Sequence, residues 1–373
     1  MYRPSLKNNS TLVMLTLLAV ILFLFTHYSH REIPADWQQE KIAAAVLMEQ
    51  AMQCLKQEVL ALGYSIDQIN DPNETGLIGI NVSSITTSRG NVSERLMTLN
   101  PNFAAIFIDL LKKLNLTAGD YVAVGVTGAN PGANLALFAA LETLKINPVI
   151  ITSVGAATYG ANRENFTWLD FERILYENHL ISFYSEYATL GGTNDLGRGL
   201  PPEGRESIIE AVELNNRHLL NSENLEESVQ LRLNAYQESL PENMEYRAFI
   251  NVGAGVGNVG SLVNARIIST GINRRLGERN FREPGVMMFF ARNNIPVIHI
   301  YNINKLVSEY QLPRNPFPMP NPGTGSLFSA RINNIYIASI CLVILVVAII
   351  GVIVFDRKSR SFSSNLVDPD EEL

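Results

Sequence analysis

Two uncharged apolar stretches lie near the two ends of the chain. The first runs through Leu12–Phe25 and the second through Ile335–Phe355, and neither contains Asp, Glu, Lys or Arg. Each lies in an uncharged tract as long as the roughly 20 residues that a helix needs to cross the hydrocarbon core of a bilayer. We therefore predict two transmembrane helices, over 11–28 and 332–355, and none elsewhere in the sequence.

The basic residues beside these stretches predict an orientation. The first stretch has the charged start of a signal peptide, but Thr26–Arg31 after it lacks a small-x-small cleavage pattern, which favours an uncleaved anchor. By the positive-inside rule, basic residues flank a span on its cytoplasmic side. We therefore expect a two-pass protein of the cell membrane whose tails, 1–10 and 356–373, are both cytoplasmic. The basic residues of these two tails are Arg3, Lys7, Arg357, Lys358 and Arg360.

Apolar residues at helical spacing follow the first span. They run from Ile42 to Leu60 and end at Gly63, which predicts one amphipathic helix over 35–63. This helix belongs to a predicted segment at 29–75, either as a stalk or packed against the domain that follows.

From Gly76 onward, strand-like and helix-like runs alternate. The first unit is predicted as strand Gly76–Val82, a helix begun by Asn100-Pro101, strand Tyr121–Val126, a glycine-rich turn, helix Ala133–Leu144 and strand Pro148–Val154. The second is predicted as strand Tyr246–Val252, a glycine-rich turn, helices at Ser261–Ile268 and Gly285–Asn293, and strand Val297–Tyr301. This alternation predicts an α/β domain over 76–311 with a mostly parallel sheet and helices on both faces.

Two polar segments interrupt this pattern. Residues 202–240 are rich in Glu, Asn and Arg and are predicted as a helical insertion, while the proline-rich segment 312–331 is predicted as a linker into the second span.

Composition and charge narrow the possible partners. Hydrophobic residues make up 47% of the chain against 17% charged residues, in keeping with lipid-embedded segments. The charges of the two tails nearly cancel, so the middle retains the chain's net charge of −7, which disfavours nucleic acid and broad capture of polyanions. The two cysteines, Cys54 and Cys341, do not suit a disulfide or a Cys/His metal cluster. We expect neither a metal nor a cofactor.

Two glycine-rich turns follow predicted strands, where open α/β sheets place their ligands. The turn over 125–132 offers Thr127, Gly128 and Asn130 as ligand candidates, and the turn over 253–260 offers Gly253 and Gly255. Backbone N–H groups in such turns suit an anion, either phosphate or carboxylate, and the other interpretation is tight-turn packing. The dinucleotide fingerprint is not matched, and nucleotides are scarce outside a cell.

A third glycine-dense segment, Gly191–Leu200, carries charges of both signs with the residues after it. The candidates there are Asp195, Arg198, Glu203 and Arg205. Arginine side chains bind carboxylates through two parallel hydrogen bonds, which favours recognition of an anionic substrate. The alternative is a loop held by Asp–Arg pairs that caps the next helix.

Ser153 ends a predicted strand and is a candidate nucleophile of a hydrolase. With Asp170 or Asp195 and then His299, it follows the chain order of an α/β-hydrolase triad. The G-x-S-x-G nucleophile elbow is absent, and a single histidine inside a strand is more often a core residue. The catalytic residues, if there are any, stay unknown.

The whole chain resembles the poly-gamma-glutamate system protein family of bacteria. The resemblance lies in the span–domain–span layout and covers most of residues 40–330. Its specific stretches are Gly79–Arg89, Asn100–Ala105, Ser153–Asp170 with Thr167-Trp168-Leu169-Asp170, and Gly191–Arg205. The resemblance implies work beside an amide ligase and its small membrane partner, which make an anionic γ-linked polymer. It supplies no agreed set of catalytic residues.

Two functions from different classes follow. In the first, the outer domain is a non-enzymatic partner that handles the emerging polymer, with Thr127, Asn130, Arg198 and Arg205 holding glutamate carboxylates. In the second, it is a hydrolase or transferase acting on an amide bond of the polymer, using Ser153 or the carboxylates of Asp195 and Glu203. The sequence favours the first.

Overall fold

The computed structural model describes residues 5–276, 281 and 283–364, without the side chains of 359–364. Arg3 and the side chain of Arg360, both used for the predicted orientation, lie outside the described residues, as does the tail from 365 onward. The chain forms two compact units. One contains residues 1–34 and 329–373, and the other contains Ala35–Phe328.

The unit made of the two chain ends contains the two apolar helices. They span Asn9–Tyr28 and Ile335–Ser364, and within them Asn9–Tyr28 and Ile335–Lys358 are long and apolar enough to cross a membrane. Next to them, strands His30–Pro34 and Ser329–Asn333 pair antiparallel. The prediction of two apolar helices is confirmed; the compartment on either side of them is not determined.

The main sheet lies in the second unit, and seven of its strands are described. We number them along the chain as β1 (Tyr121–Thr127), β2 (Asn147–Ser153), β3 (Tyr187–Thr189), β4 (His218–Leu219), β5 (Tyr246–Val252), β6 (Gly271–Asn273) and β7 (Val297–Ile300). Their order across the sheet is β6-β7-β5-β1-β2-β3-β4. β6 runs antiparallel to β7, and the other neighbours are parallel. The predicted mostly parallel α/β sheet is confirmed.

The register of the central strands brings two candidate residues side by side. β1 pairs with β2 without a break from Tyr121 and Asn147 to Thr127 and Ser153. On its other side β1 pairs with β5 up to Gly125 and Asn251. The ends of three parallel strands therefore meet at one edge of the sheet.

Alternate residues of β1 enter different hydrophobic clusters. Val122 and Val124 belong to a cluster that includes residues of helices Gln38–Ala61 and Pro131–Leu144. Ala123 belongs to a second cluster, with residues of helices Leu225–Glu238 and Val286–Arg292. Burial on both sides explains why β1 has a continuous apolar run and not an alternating one.

The remaining elements of this unit are short or lie between the strands. The helices not yet given are Val92–Thr98, the 3-10 turn Pro101–Phe103, Ala104–Lys113, Trp168–Glu177, Pro202–Leu214, Val256–Val259, Leu262–Ile267 and Ile303–Glu309. Two small strand pairs are Thr86–Ser88 with Ala156–Ala157, and Asn162–Arg163 with Phe166–Thr167. Asn100 caps the 3-10 turn through the N–H of Asn102, as its position before Pro101 predicts.

The predicted strand at Gly76–Val82 is wrong, because this run is extended but pairs with no strand. Its polar groups bond instead to the backbone of Tyr159, which accepts from the N–H of Gly79 at 3.2 Å and donates to the carbonyl of Ile80 at 3.0 Å, and to the side chain of Asn162. The amide of Asn162 accepts from the N–H of Ile80 at 2.9 Å and donates to its carbonyl at 2.8 Å. The strand of this region is Thr86–Ser88.

The predicted segment boundaries differ from the two units in three places. Residues 202–240 supply helices Pro202–Leu214 and Leu225–Glu238 with β4 between them, so this stretch belongs to the sheet and is not an insertion. Segment 29–75 divides at Ala35, and helix Gln38–Ala61 packs into the core of the domain. Segment 312–331 divides at Ser329, where the strand next to the second apolar helix begins.

Candidate functional site

The direction of strand addition reverses beside β1, because β2 is added on one side and β5 on the other. The crevice outside the carboxyl ends of strands at such a reversal is where open α/β sheets usually bind ligands. Here it contains a cleft of ≈ 170 Å³. The cleft is lined by Thr87, Ser88, Thr127, Ala129, Ser153, Gly155, Gly191, Gly192, Thr193, Ala254, Gly255, Val256 and Leu262.

The lining of this cleft consists of hydroxyls, small apolar side chains and glycine backbone. Thr127 and Ser153 come from the ends of β1 and β2, and Gly255 comes from the turn after β5. Among the described residues no charged side chain lines the cleft. Ligand contacts with the lining itself would therefore be hydrogen bonds from neutral groups.

A buried arginine lies directly beneath this lining. Arg232, from helix Leu225–Glu238, is 0% exposed. Its Nη2 donates to the hydroxyls of Ser153 at 2.8 Å and Thr189 at 2.7 Å. Its Nη1 donates to Asn258 Oδ1 at 3.2 Å. One guanidinium thus joins the ends of β2 and β3 to the turn after β5.

Asp195 is the counter-charge of Arg232. Its Oδ2 accepts from Arg232 Nε at 3.0 Å and Nη2 at 2.7 Å, and from the Ser228 hydroxyl at 2.7 Å. Its Oδ1 accepts from Thr189 at 2.9 Å and from Ser153 at 3.2 Å. Both oxygens of this carboxylate are therefore occupied by donors from the protein itself.

The glycine-dense loop takes its shape from left-handed backbone. Gly191, Gly192, Gly197 and Gly199 all have positive φ, and Asp195 has φ 66°. Only glycine adopts this conformation without a steric cost, which accounts for the glycine density. The loop folds back on itself and carries Asp195 inward to Arg232.

The other charged candidates of this region lie away from the cleft. Arg198 and Glu203 are exposed, and neither lines it. Arg205 donates to the carbonyl of Leu200 at 2.9 Å, which ties down the end of the loop. Of the four charged candidates, only Asp195 reaches the cluster beneath the cleft.

Of the three candidates in the turn after β1, one lines the cleft and two have other partners. Thr127 lines the cleft, whereas Gly128 uses its N–H to bind the carbonyl of Ser153 at 3.0 Å and its carbonyl to accept from Ala161. The side chain of Asn130 is turned toward another buried arginine, Arg95, and accepts from its Nη1.

The turn after β5 brings backbone close to the cleft. Gly253 has φ +95°, and a Cβ there would lie 2.7 Å from Thr127 Oγ1. Asn258 packs over Gly125, where a Cβ would lie 2.2 Å from its Nδ2. Since a guanidinium only donates, Asn258 Oδ1 must face Arg232, and its Nδ2 is then buried without a partner.

The structure does not assemble a Ser–Asp–His triad. Ser153 meets Asp195, but His299 is 0% exposed and contacts Asn251 Nδ2 through Nδ1 and the carbonyl of Ala265 through Nε2, both at 3.0 Å. Asp170 instead completes the capping box of helix Trp168–Glu177. Burial lowers the pKa of His299, which keeps the imidazole neutral. His299 is a core residue.

A metal site is not found in the part of the chain that the structure describes, where no three His, Cys, Asp or Glu side chains converge. The expected lack of a cofactor stays a prediction.

The sequence analysis missed the residues that organise the site: Arg95, Thr189, Ser228, Arg232 and Asn258. Arg232 lies in a polar helix between Leu231 and Leu233 and has no motif around it. Thr189 ends the three-residue strand β3, which the sequence did not reveal. Its position at a strand end is the one signal that would have selected it.

Comparisons with protein-family models, with curated proteins and with solved structures found no match.

Proposed function

We propose that this chain is a membrane-anchored component of a bacterial poly-gamma-glutamate synthesis or export system, and that its α/β domain binds a short segment of the anionic polymer. The observation that carries the proposal is the cleft at the ends of β1, β2 and β5, formed by hydroxyls and glycine backbone over a rigid buried network. Its small volume suits a glutamyl residue and not a long stretch of chain. The partners would be the polymer, the amide ligase and its small membrane partner.

The proposed location is the cell membrane, with both termini cytoplasmic and the domain Ala35–Phe328 on the outer side. The two apolar helices and the basic residues Lys7, Arg357 and Lys358 beside them support this orientation. We also propose that helices cover both faces of the sheet. The entry of neighbouring residues Val122 and Ala123 into different hydrophobic clusters supports it.

Binding is favoured over hydrolysis by the partners of Ser153. Its Oγ lies near Arg232 Nη2, Asp195 Oδ1 and Thr189 Oγ1. A nucleophilic serine needs a base that can take its proton, as histidine does in a triad. Asp195, the carboxylate that the described residues place within reach, is already bound by Arg232, Thr189 and Ser228. Ser153 is therefore better suited to holding the floor of the cleft in place than to nucleophilic attack.

The proposal is tested with the full chain in detergent and a γ-linked glutamate polymer, by measuring binding and polymer length together. We expect binding without shortening. Thr127→Val, which removes a hydroxyl from the cleft, should weaken it. Thr143→Val is the matched control, because that hydroxyl binds the carbonyl of Ala139 within helix Pro131–Leu144. Shortening abolished by Ser153→Ala would establish the hydrolase instead, and the absence of both binding and shortening would refute both functions.

A further inference from the structure

Arg95 is a buried cation that forms no ion pair with the described residues, although the neighbouring Glu94 attracts it electrostatically. It lies in helix Val92–Thr98 and is 5% exposed. Across the described residues, no carboxylate forms an ion pair with it within 4.0 Å. The neighbouring Glu94 accepts instead from Asn304 Nδ2 at 3.0 Å. Burial lowers the pKa of the Arg95 guanidinium to about 10.

Most of the donors of Arg95 are also unused. Nη1 donates to Asn130 Oδ1, Nε is buried without a partner, and no hydrogen bond of Nη2 is found in the described part of the chain. Arg232 in the same domain shows the usual arrangement, with a carboxylate and three further acceptors. A buried charge with unused donors is unfavourable in the ligand-free protein, and an anionic ligand would relieve this.

The unused donors are the pair that suits a carboxylate. Nε and Nη2 lie on one edge of the guanidinium, and two parallel hydrogen bonds from such an edge bind both carboxylate oxygens. Asn130, which holds Nη1, is the N-cap of helix Pro131–Leu144 and makes no capping hydrogen bond with its side chain. The positive end of that helix adds to the attraction for an anion.

Arg95 lies close to two segments that each contribute a residue to the lining of the cleft. Asn130 directly follows Ala129, which lines the cleft. On the other side a Cβ at Gly90 would lie 2.6 Å from Arg95 Nη2, and Ser88, two residues earlier, lines the cleft as well. The guanidinium is therefore within two residues of the lining along both segments.

We propose that Arg95 is the anion-selecting residue of the cleft, and that a ligand carboxylate entering between Ser88 and Ala129 pairs with its Nε and Nη2. The identity of that carboxylate as a γ-glutamyl group rests on the proposed function. The pairing itself does not. It explains how a cleft with a neutral lining, in a domain of net negative charge, discriminates in favour of an anion.

Arg95→Met tests the pairing in the full chain in detergent, with glutarate and a short γ-linked glutamate oligomer as probes. In the ligand-free protein, removing the Arg95 charge, which forms no ion pair with the described residues, should leave the melting temperature unchanged or raise it. The affinity for both probes should fall about tenfold or more, since charged hydrogen bonds are lost. Arg247→Met is the matched control, because Arg247 is exposed near the opposite end of β5. Arg95→Lys keeps the charge without the planar edge and should bind weakly.

The pairing is wrong if Arg95→Met binds glutarate like the wild type, or if it loses stability in the ligand-free state. If the variant does not fold, the pairing is tested on the wild type instead. Glutarate should raise its melting temperature, and the neutral glutaramide should not. An equal effect of the two compounds overturns the pairing. An oligomer that binds wild type and Arg95→Met equally leaves the proposed function intact and removes the pairing. If glutarate stabilises the protein through Arg95 but the oligomer does not bind, the pairing stands and the proposed function is refuted.

Discussion

Replacing Arg232 by Met tests whether the buried ion pair holds the site together. Both side chains of the pair with Asp195 are 0% exposed, and their closest atoms are 2.7 Å apart. Removing the cation leaves a carboxylate buried without its counter-charge, which costs about 3–5 kcal/mol of unfolding free energy. The hydrogen bonds to Ser153 and Thr189 are lost with it and are not counted separately, because contributions within one network do not add.

The assay is urea unfolding of the full chain in detergent, followed through the fluorescence of the buried Trp168. Asp195→Asn in the Arg232→Met background removes the stranded charge, so the double variant should recover part of the loss. Arg247→Met again serves as the matched control. A loss below about 1 kcal/mol, the average for any point substitution, would refute the reasoning. So would a double variant whose loss is the sum of the two single ones.

Three further predictions concern the strand ends, a core histidine and the topology. Gly125→Ala should lower the unfolding free energy by about 1–3 kcal/mol, because its Cβ would lie 2.2 Å from Asn258 Nδ2; unchanged urea unfolding would contradict this. Since burial lowers the pKa of His299, the unfolded state binds the extra proton, and stability should fall on acidification below about pH 6.5. Its pH profile should be flatter in His299→Gln, and identical profiles would exclude His299 as the cause. Protease added to intact cells should digest Ala35–Phe328, and digestion only after permeabilisation would mean the opposite orientation.

The sequence was sufficient for the long elements of the fold. β5 has the predicted bounds, and β1 and β2 differ from prediction by one residue at their ends, because each is a continuous apolar run between turn residues. β3 and β4 are too short to produce a periodic signal. The failed strand at Gly76–Val82 shows the limit of pattern alone, since a side-chain amide and isolated backbone hydrogen bonds to Tyr159 hold this run without a neighbouring strand.

The site was predictable in position but not in chemistry. Glycine-rich turns at strand ends correctly indicated where the cleft is, and Ser153 and Asp195 do meet beneath it. Their partner Arg232 is 79 residues from Ser153 along the chain and 37 from Asp195, and no local pattern connects them. Arg95 is likewise ordinary in sequence. Its buried Nε without a partner is a property that only a three-dimensional arrangement reveals.

The most direct test of polymer binding in the cleft is the affinity of Gly255→Ala for a short γ-linked glutamate oligomer. Gly255 has φ −56° and ψ 118°, which alanine adopts without strain, and the added Cβ would lie 3.0 Å from Thr127 Cγ2 and 3.5 Å from Ser153 Oγ. It therefore narrows the cleft at the ends of β1 and β2, with a shift of a few tenths of an ångström at the Thr127 side chain. We expect affinity to fall about tenfold or more, with Gly351→Ala in the second apolar helix binding like the wild type. Wild-type affinity in a folded Gly255→Ala protein would contradict the account.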